Sequence, residues 1–149
     1  MSAHTHTAWR EHALEELERA GYRRGEARSA VVDVLARQSC ALTAQEIGDA
    51  LRRRRRAVGL ASVYRALEVL NDLRLVQRLE MGQGVARYEP LDPSGDHHHH
   101  LVCQRCGHVM PFDDPDLESS IAALCERLEF DVDAHDVVLR GACAACRGP

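Results

Sequence analysis

Six residues able to hold a transition metal fall within ten positions, His97-His98-His99-His100-Leu101-Val102-Cys103-Gln104-Arg105-Cys106. Imidazole nitrogens and thiolate sulfurs are the usual ligands of zinc and iron(II), so the chemistry on offer is metal binding. A purification tag also presents a histidine run, but tags sit at a chain end and are not followed directly by Leu-Val-Cys-x-x-Cys. A second Cys-x-x-Cys runs from Cys143 to Cys146. Two such pairs make the donor set of a closed, tetrahedral four-thiolate zinc site. The 36 residues between Cys106 and Cys143 exceed the ~15–20 of a common zinc ribbon, and an embedded helix and strands account for the excess.

On a strand, alternation sends His97 and His99 to one face and His98 and His100 to the other, so one tetrapeptide can serve two metal sites. Each site then needs ligands from distant positions, and Glu89, Glu118 and His135 are available. His4, His6, His12 and His108 receive no role. A zinc enzyme is the main competing class, because the same ligand types can activate water. Its local signatures are missing: there is no His-Glu-x-x-His, no His-x-Glu, no proline before either Cys-x-x-Cys, no nucleophile elbow and no phosphate loop. A plain zinc-ribbon interaction module leaves the four histidines unexplained.

The elements that must position these ligands fit a chain of 149 residues, 45% hydrophobic, which suffices for one ordinary domain or two small ones. No apolar run approaches 18 residues and no signal-peptide core is visible, so the expectation is a cytoplasmic protein with no membrane partner. In that setting the paired cysteines are metal thiolates rather than disulfides. The net charge of −4 hides an asymmetry. Residues 1–89 carry 15 Arg against 12 acids, whereas residues 90–149 carry 4 against 11, so the two halves face different partners.

Trp9, Ala13, Leu14, Leu17 and Ala20 have helical spacing over 8–20, and Gly21 is a natural C-cap. A second helix carries Ala27, Ala30, Val31, Val34 and Leu35 on one face. Thr43-Ala44-Gln45-Glu46 is a capping box opening a third, which buries Ile47, Ala50 and Leu51 and ends in Arg52 to Arg56. A fourth follows Gly59, with Val63, Ala66, Leu67, Leu70 and Leu73 inward and Tyr64 and Arg65 outward near its start. Segments 76–81 and 85–89 alternate about Gly82-Gln83-Gly84 and form a hairpin. Helices followed by a hairpin match the winged helix, which presents a recognition helix to the DNA major groove; a helical bundle with an incidental hairpin is the alternative. Pro90 to Asp96 is hinge-like in composition, giving a first domain over 1–89, a hinge over 90–96 and a second domain over 97–149. The second domain offers strands around 99–103 and 108–112, then a helix opened by Asp114 and Pro115 with Leu117, Ile121, Leu124 and Leu128 inward. Strands near 130–133 and 136–141 follow, and Cys125 reads as a core thiol.

Gly59-Leu60-Ala61-Ser62-Val63-Tyr64-Arg65-Ala66-Leu67 resembles the recognition-helix motif of the ferric uptake regulator family of metal-sensing bacterial repressors. His97 to His100, Leu101-Val102-Cys103-x-x-Cys106-Gly107 is similar to that family's metal motif. The match covers about 20–147, with two independent motifs in separate domains. The resemblance implies an α+β protein: an N-terminal winged-helix DNA-binding domain, then a small α/β dimerisation domain with a four-cysteine zinc site. It implies a homodimer on double-stranded DNA with a palindromic operator, repressing metal-uptake or metal-homeostasis genes in response to iron or zinc, and not an enzyme. Cys103, Cys106, Cys143 and Cys146 match the structural zinc ligands. Glu89, His98 and His100 match a regulatory hinge site for a second divalent metal, Fe2+ or Zn2+. His97, His99, Glu118 and His135 match a site in the dimerisation domain. Ser62, Tyr64 and Arg65, with Arg23 and Arg28, match DNA-contacting positions. Iron-type members often supply a hinge-site histidine from just before the third helix, where this chain has Cys40, whose thiolate would favour zinc. The family's Thr-Pro-Gln-Arg is replaced by Gly25-Glu26-Ala27-Arg28. A peroxide sensor, in which an iron-loaded hinge site oxidises its own histidines, is the alternative within the same family.

Overall fold

The computed structural model describes residues 3–23, 25–38, 40–82, 84–91 and 98–148, leaving aside the side chains of residues 3–6. The fold is α+β, in two compact units, Met1–Asp96 and His97–Pro149, each with its own three-stranded sheet. The first holds α1 (Ala3–Arg19), α2 (Glu26–Leu35), β1 (Leu42–Thr43), α3 (Ala44–Arg53), α4 (Leu60–Asp72), β2 (Val76–Glu80) and β3 (Ala86–Pro90). The second holds β4 (His99–Cys103), β5 (Val109–Phe112), α5 (Pro115–Arg127) and β6 (Val138–Gly141).

The first unit is built from four amphipathic helices closing on one another. Trp9, Ala13 and Leu17 recur every four residues along α1 and are buried, and α1 starts at Ala3 rather than near residue 8. Its end is set by Gly21, whose φ of +84° lets the Tyr22 N–H reach back to the Leu17 carbonyl. The α3 capping box forms in full: the Thr43 hydroxyl accepts from Glu46 N–H at 3.1 Å and the Glu46 carboxylate accepts from Thr43 N–H at 2.8 Å. Val31, Val34 and Leu35 of α2, Ile47 and Leu51 of α3, and Val63, Leu67 and Leu70 of α4 meet in a single core. Each such side chain contributes about 1.5–3 kcal/mol on burial, so this unit has a hydrophobic core of its own. The Trp9 indole N–H donates to the Leu75 carbonyl at 2.9 Å, tying α1 to the start of the hairpin. β2 and β3 pair antiparallel from Val76↔Pro90 to Glu80↔Ala86. β1 adds a third strand through Leu42↔Tyr88 and Thr43↔Arg87; at two residues it carries no periodicity for a sequence to reveal.

In the second unit β4 lies between β5, antiparallel, and β6, parallel. Asp114 caps α5 by accepting from the N–H groups of Asp116 and Leu117, both at 2.9 Å, with Pro115 where no amide donor is needed. Two expectations fail here. No residue of α5 is buried: Leu124 and Leu128 are 42% and 64% exposed, and Cys125 is only half-buried rather than a core thiol. The apolar stripe exists, but among the described residues it is covered only in part, at Leu117 and Ile121. Residues 130–133 form no strand and pair with neither outer edge of the β5-β4-β6 sheet; Phe130 and Val132 remain exposed. Among the described residues no helix is long and apolar enough to cross a membrane.

Candidate metal centres

The β4–β6 pairing sets Cys103 opposite Gly141, two residues before Cys143. That register carries the second Cys-x-x-Cys to the first. The sulfurs of Cys103, Cys106, Cys143 and Cys146 lie within 4.8 Å of one another, and Cys106 Sγ is 3.8 Å from Cys143 Sγ. A tetrahedron with zinc–sulfur bonds of about 2.3 Å has edges of about 3.8 Å, so the cluster matches the size of a zinc cage. Two tight turns hold it, with Gly107 N–H donating to the Cys103 carbonyl and Cys146 N–H to that of Cys143. The electrostatics agree. Backbone N–H groups of Cys143 and Cys106 aimed at Cys103 lower its thiol to about 6. Cys146, sharing protons with Cys143, Cys106 and Cys103, is pushed up to about 12. Four thiolates this close repel one another unless a cation replaces the last protons.

A second cluster joins β4, α5 and the segment before β6. His99 Nε2 lies 2.6 Å from Glu118 Oε1, and His135 Nε2 lies 3.1 Å from Glu118 Oε2. The three donor atoms fall within 4.8 Å of one another. Two nitrogens and a carboxylate suit zinc or iron(II). The Val137 N–H points at His99 Nδ1 from 3.3 Å, so Nε2 carries the ring proton and donates it to Glu118. A cation held at Nε2 would therefore require that proton to move to Nδ1 and the long Val137 hydrogen bond to be given up, a cost of about 1 kcal/mol. His97, expected in this set, lies outside the described residues.

The third set is divided between the units. Glu89, on β3, is buried and pairs across the hairpin with Gln77. His98 and His100 lie on the face of β4 opposite His99, as alternation requires, with ring centroids 4.9 Å apart. Cys40 is exposed and lies two residues before β1. Continuing the antiparallel Leu42↔Tyr88 register carries its segment alongside Glu89. Arg87 was not singled out by sequence, yet it fastens this corner by donating to the Ala41 carbonyl at 2.9 Å and to the Glu46 carboxylate at 3.0 Å. No local signal could reveal it, because its partners are 46 and 41 residues away.

On α4 the extended Gly59 leads into two turns with Tyr64 and Arg65 exposed in the second, while Val63, Ala66 and Leu67 face the core. Arg65 donates to the Ser62 hydroxyl at 3.1 Å, which orients both outward. Arg23 is exposed. Arg28 is partly engaged: it donates to the Arg23 carbonyl at 3.0 Å and its guanidinium stands 5.3 Å from the centre of the Tyr22 ring.

Residues 19–140 match the model of the ferric uptake regulator family. The chain is 33% identical over 137 residues to the ferric uptake regulation protein of Bacillus subtilis, an alignment covering 90% of this chain and 91% of that protein. It is 32% identical over 142 residues to the peroxide-responsive repressor PerR of Staphylococcus aureus, covering 92% and 93%. The structure superposes on the Helicobacter pylori ferric uptake regulator Fur, described as having three functional metal binding sites, with a TM-score of 0.84. That superposition covers 97% of this chain and 95% of that one at 26% identity.

Proposed function

Because the chain belongs to the ferric uptake regulator family, we propose that it is a metal-responsive, DNA-binding transcriptional repressor whose metal clusters control how it engages an operator. It is a transcription factor and not an enzyme. The observation that carries the reading is the sorting of histidines on β4: His99 faces Glu118 and His135 while His98 and His100 share the other face. One strand thereby supplies donors to two centres.

In this reading residues 1–89 are a winged-helix DNA-binding domain, 90–96 a hinge and 97–149 a dimerisation domain. Cys103, Cys106, Cys143 and Cys146 hold a structural zinc, which supplies folding free energy. His99, Glu118 and His135, with His97, hold a second cation within the dimerisation domain. Glu89 of the first unit, with His98 and His100 of the second and Cys40 as a further donor, holds the regulatory cation. Ligands drawn from both units make metal affinity differ between arrangements of those units, and that difference shifts the population toward the DNA-competent one. Tyr64 and Arg65 read bases in the major groove, while Ser62, Arg23 and Arg28 contact the backbone. The uncovered stripe of α5 with Phe130 and Val132 is the face that a second copy covers, giving a homodimer suited to a palindromic operator.

The test is anaerobic operator binding followed by fluorescence anisotropy and titrated separately with iron(II), zinc and manganese. His98→Ala should lose metal-stimulated binding while retaining the four-cysteine zinc and the dimer, and His135→Ala should have the smaller effect. Cys40→Ser decides the further donor: loss of the zinc response makes Cys40 a ligand, and an unchanged response leaves it a loop thiol. A full response of His98→Ala to every metal would overturn the hinge mechanism. The likeness to the Staphylococcus repressor favours one further arm: oxidised His98 or His100 after peroxide treatment of iron-loaded protein, with loss of DNA binding, would identify a peroxide sensor.

A further inference from the structure

Besides the residues assigned above, the first unit carries a polar pocket of about 230 Å3 lined by Ala30, Asp33, Arg37, Leu51, Arg54 and Arg56. Ala30 and Leu51 are buried and form its apolar floor. The three arginines come from different places. Arg37 follows α2, whereas Arg54 and Arg56 come from the turn that ends α3. That turn is a left-handed cap: Arg55 has φ of +55°, with Arg55 N–H donating to the Arg52 carbonyl and Arg56 N–H to that of Leu51. Glycine is the usual residue at such a position, and a residue with a side chain costs about 1 kcal/mol or more there. The reversal brings Arg54 and Arg56 onto one pocket.

The acids nearby leave this charge uncompensated. Asp33 is engaged by Arg10 at 2.6 Å, and Glu26 reaches Arg56 only at 3.8 Å, with both side chains at least half exposed. Among the described residues no hydrogen bond or ion pair engages the side chain of Arg37 or Arg54. Four guanidiniums against two carboxylates leave a local charge of +2. Planar guanidinium forks match the oxygen geometry of phosphate, and two or more on one concave surface bind it in preference to a spherical halide. We propose that the pocket of Arg37, Arg54 and Arg56 is a phosphoryl-binding site, taking either a DNA backbone phosphate outside the bases read by α4 or the phosphate of a free ester.

The variant is Arg37→Ala/Arg54→Ala in the full chain, two exposed side chains whose loss leaves the core intact, with Arg55→Gly as a control that keeps the pocket. The first arm rests on the proposed DNA binding and measures affinity for operator and random duplexes as a function of salt. If the source is DNA, the double variant weakens both by the same factor, its log–log salt slope falls by about 1–2, and metal stimulation is unchanged. The second arm does not depend on DNA binding: thermal unfolding in inorganic phosphate against chloride at equal ionic strength. If the source is a free ester, phosphate raises the midpoint of the first unit's transition by about 7 °C at ten times its Kd, the double variant loses the shift and Arg55→Gly keeps it. Unchanged DNA affinity and slope, together with no difference between phosphate and chloride, overturn the proposal. Failure of metal-dependent operator binding in the wild type would instead count against the function proposed above.

Discussion

Replacing Cys143 with serine should unfold the second unit while leaving the first folded. Among the described residues of His97–Pro149, leaving aside the cluster thiol of Cys103, the only buried apolar side chain is Val102, beside the buried imidazoles of His99 and His100. Its burial supplies about 2 kcal/mol. A structural zinc supplies about 10–16 kcal/mol in comparable small units, so this unit depends on metal rather than on an apolar core. Serine cannot provide a thiolate, and the three remaining cysteines leave an open, weaker site. The assay combines zinc content, differential calorimetry and sedimentation on purified protein. Wild type should hold about one zinc per chain at this cluster against mild chelation. Cys143→Ser should lose it together with one of two unfolding transitions, while Cys125→Ser, outside the cluster, should keep both. Protons compete with the metal: binding expels them from the thiols, so zinc is held at neutral and alkaline pH and its affinity falls as pH falls. The fall steepens below about 6, where Cys103 also takes up a proton in the metal-free cluster. A zinc-free Cys143→Ser protein that remains dimeric and melts as the wild type does would refute this reasoning.

Two further outcomes follow from the geometry of α4 and α5. Arg65→Ala should weaken operator binding by about 10–100-fold and random-duplex binding much less, as expected for a base contact worth about 1–3 kcal/mol; competition anisotropy checks this, and equal losses on both would reduce Arg65 to a backbone contact. Leu128→Asp, at a side chain 64% exposed in the single chain, should raise the dimer dissociation constant by about 1000-fold, since a symmetric interface loses the side chain twice at about 2 kcal/mol each; sedimentation equilibrium reads it, and an unchanged dimer would mean that another face is used.

What the sequence determined by itself is whatever depends on neighbours within a few residues. The capping box at Thr43 and Glu46, the Asp114-Pro115 start of α5, the buried faces of α2, α3 and α4, and the outward Tyr64 and Arg65 all follow from local hydrogen bonding and helical periodicity. So does the split of His98 and His100 from His99, because a strand has a period of two. Only the tertiary structure decided the rest. The parallel β4–β6 register brings Cys143 to Cys106 and His135 to His99, and no local propensity encodes a pairing across more than thirty residues. Alternation over 130–133 did not make a strand, because a strand also needs a partner edge and local pattern does not supply one. The stripe on α5 shows the limit most directly: periodicity states that Leu124 and Leu128 must leave water, but burial is a property of whatever surface meets them, and among the described residues they stay 42% and 64% exposed.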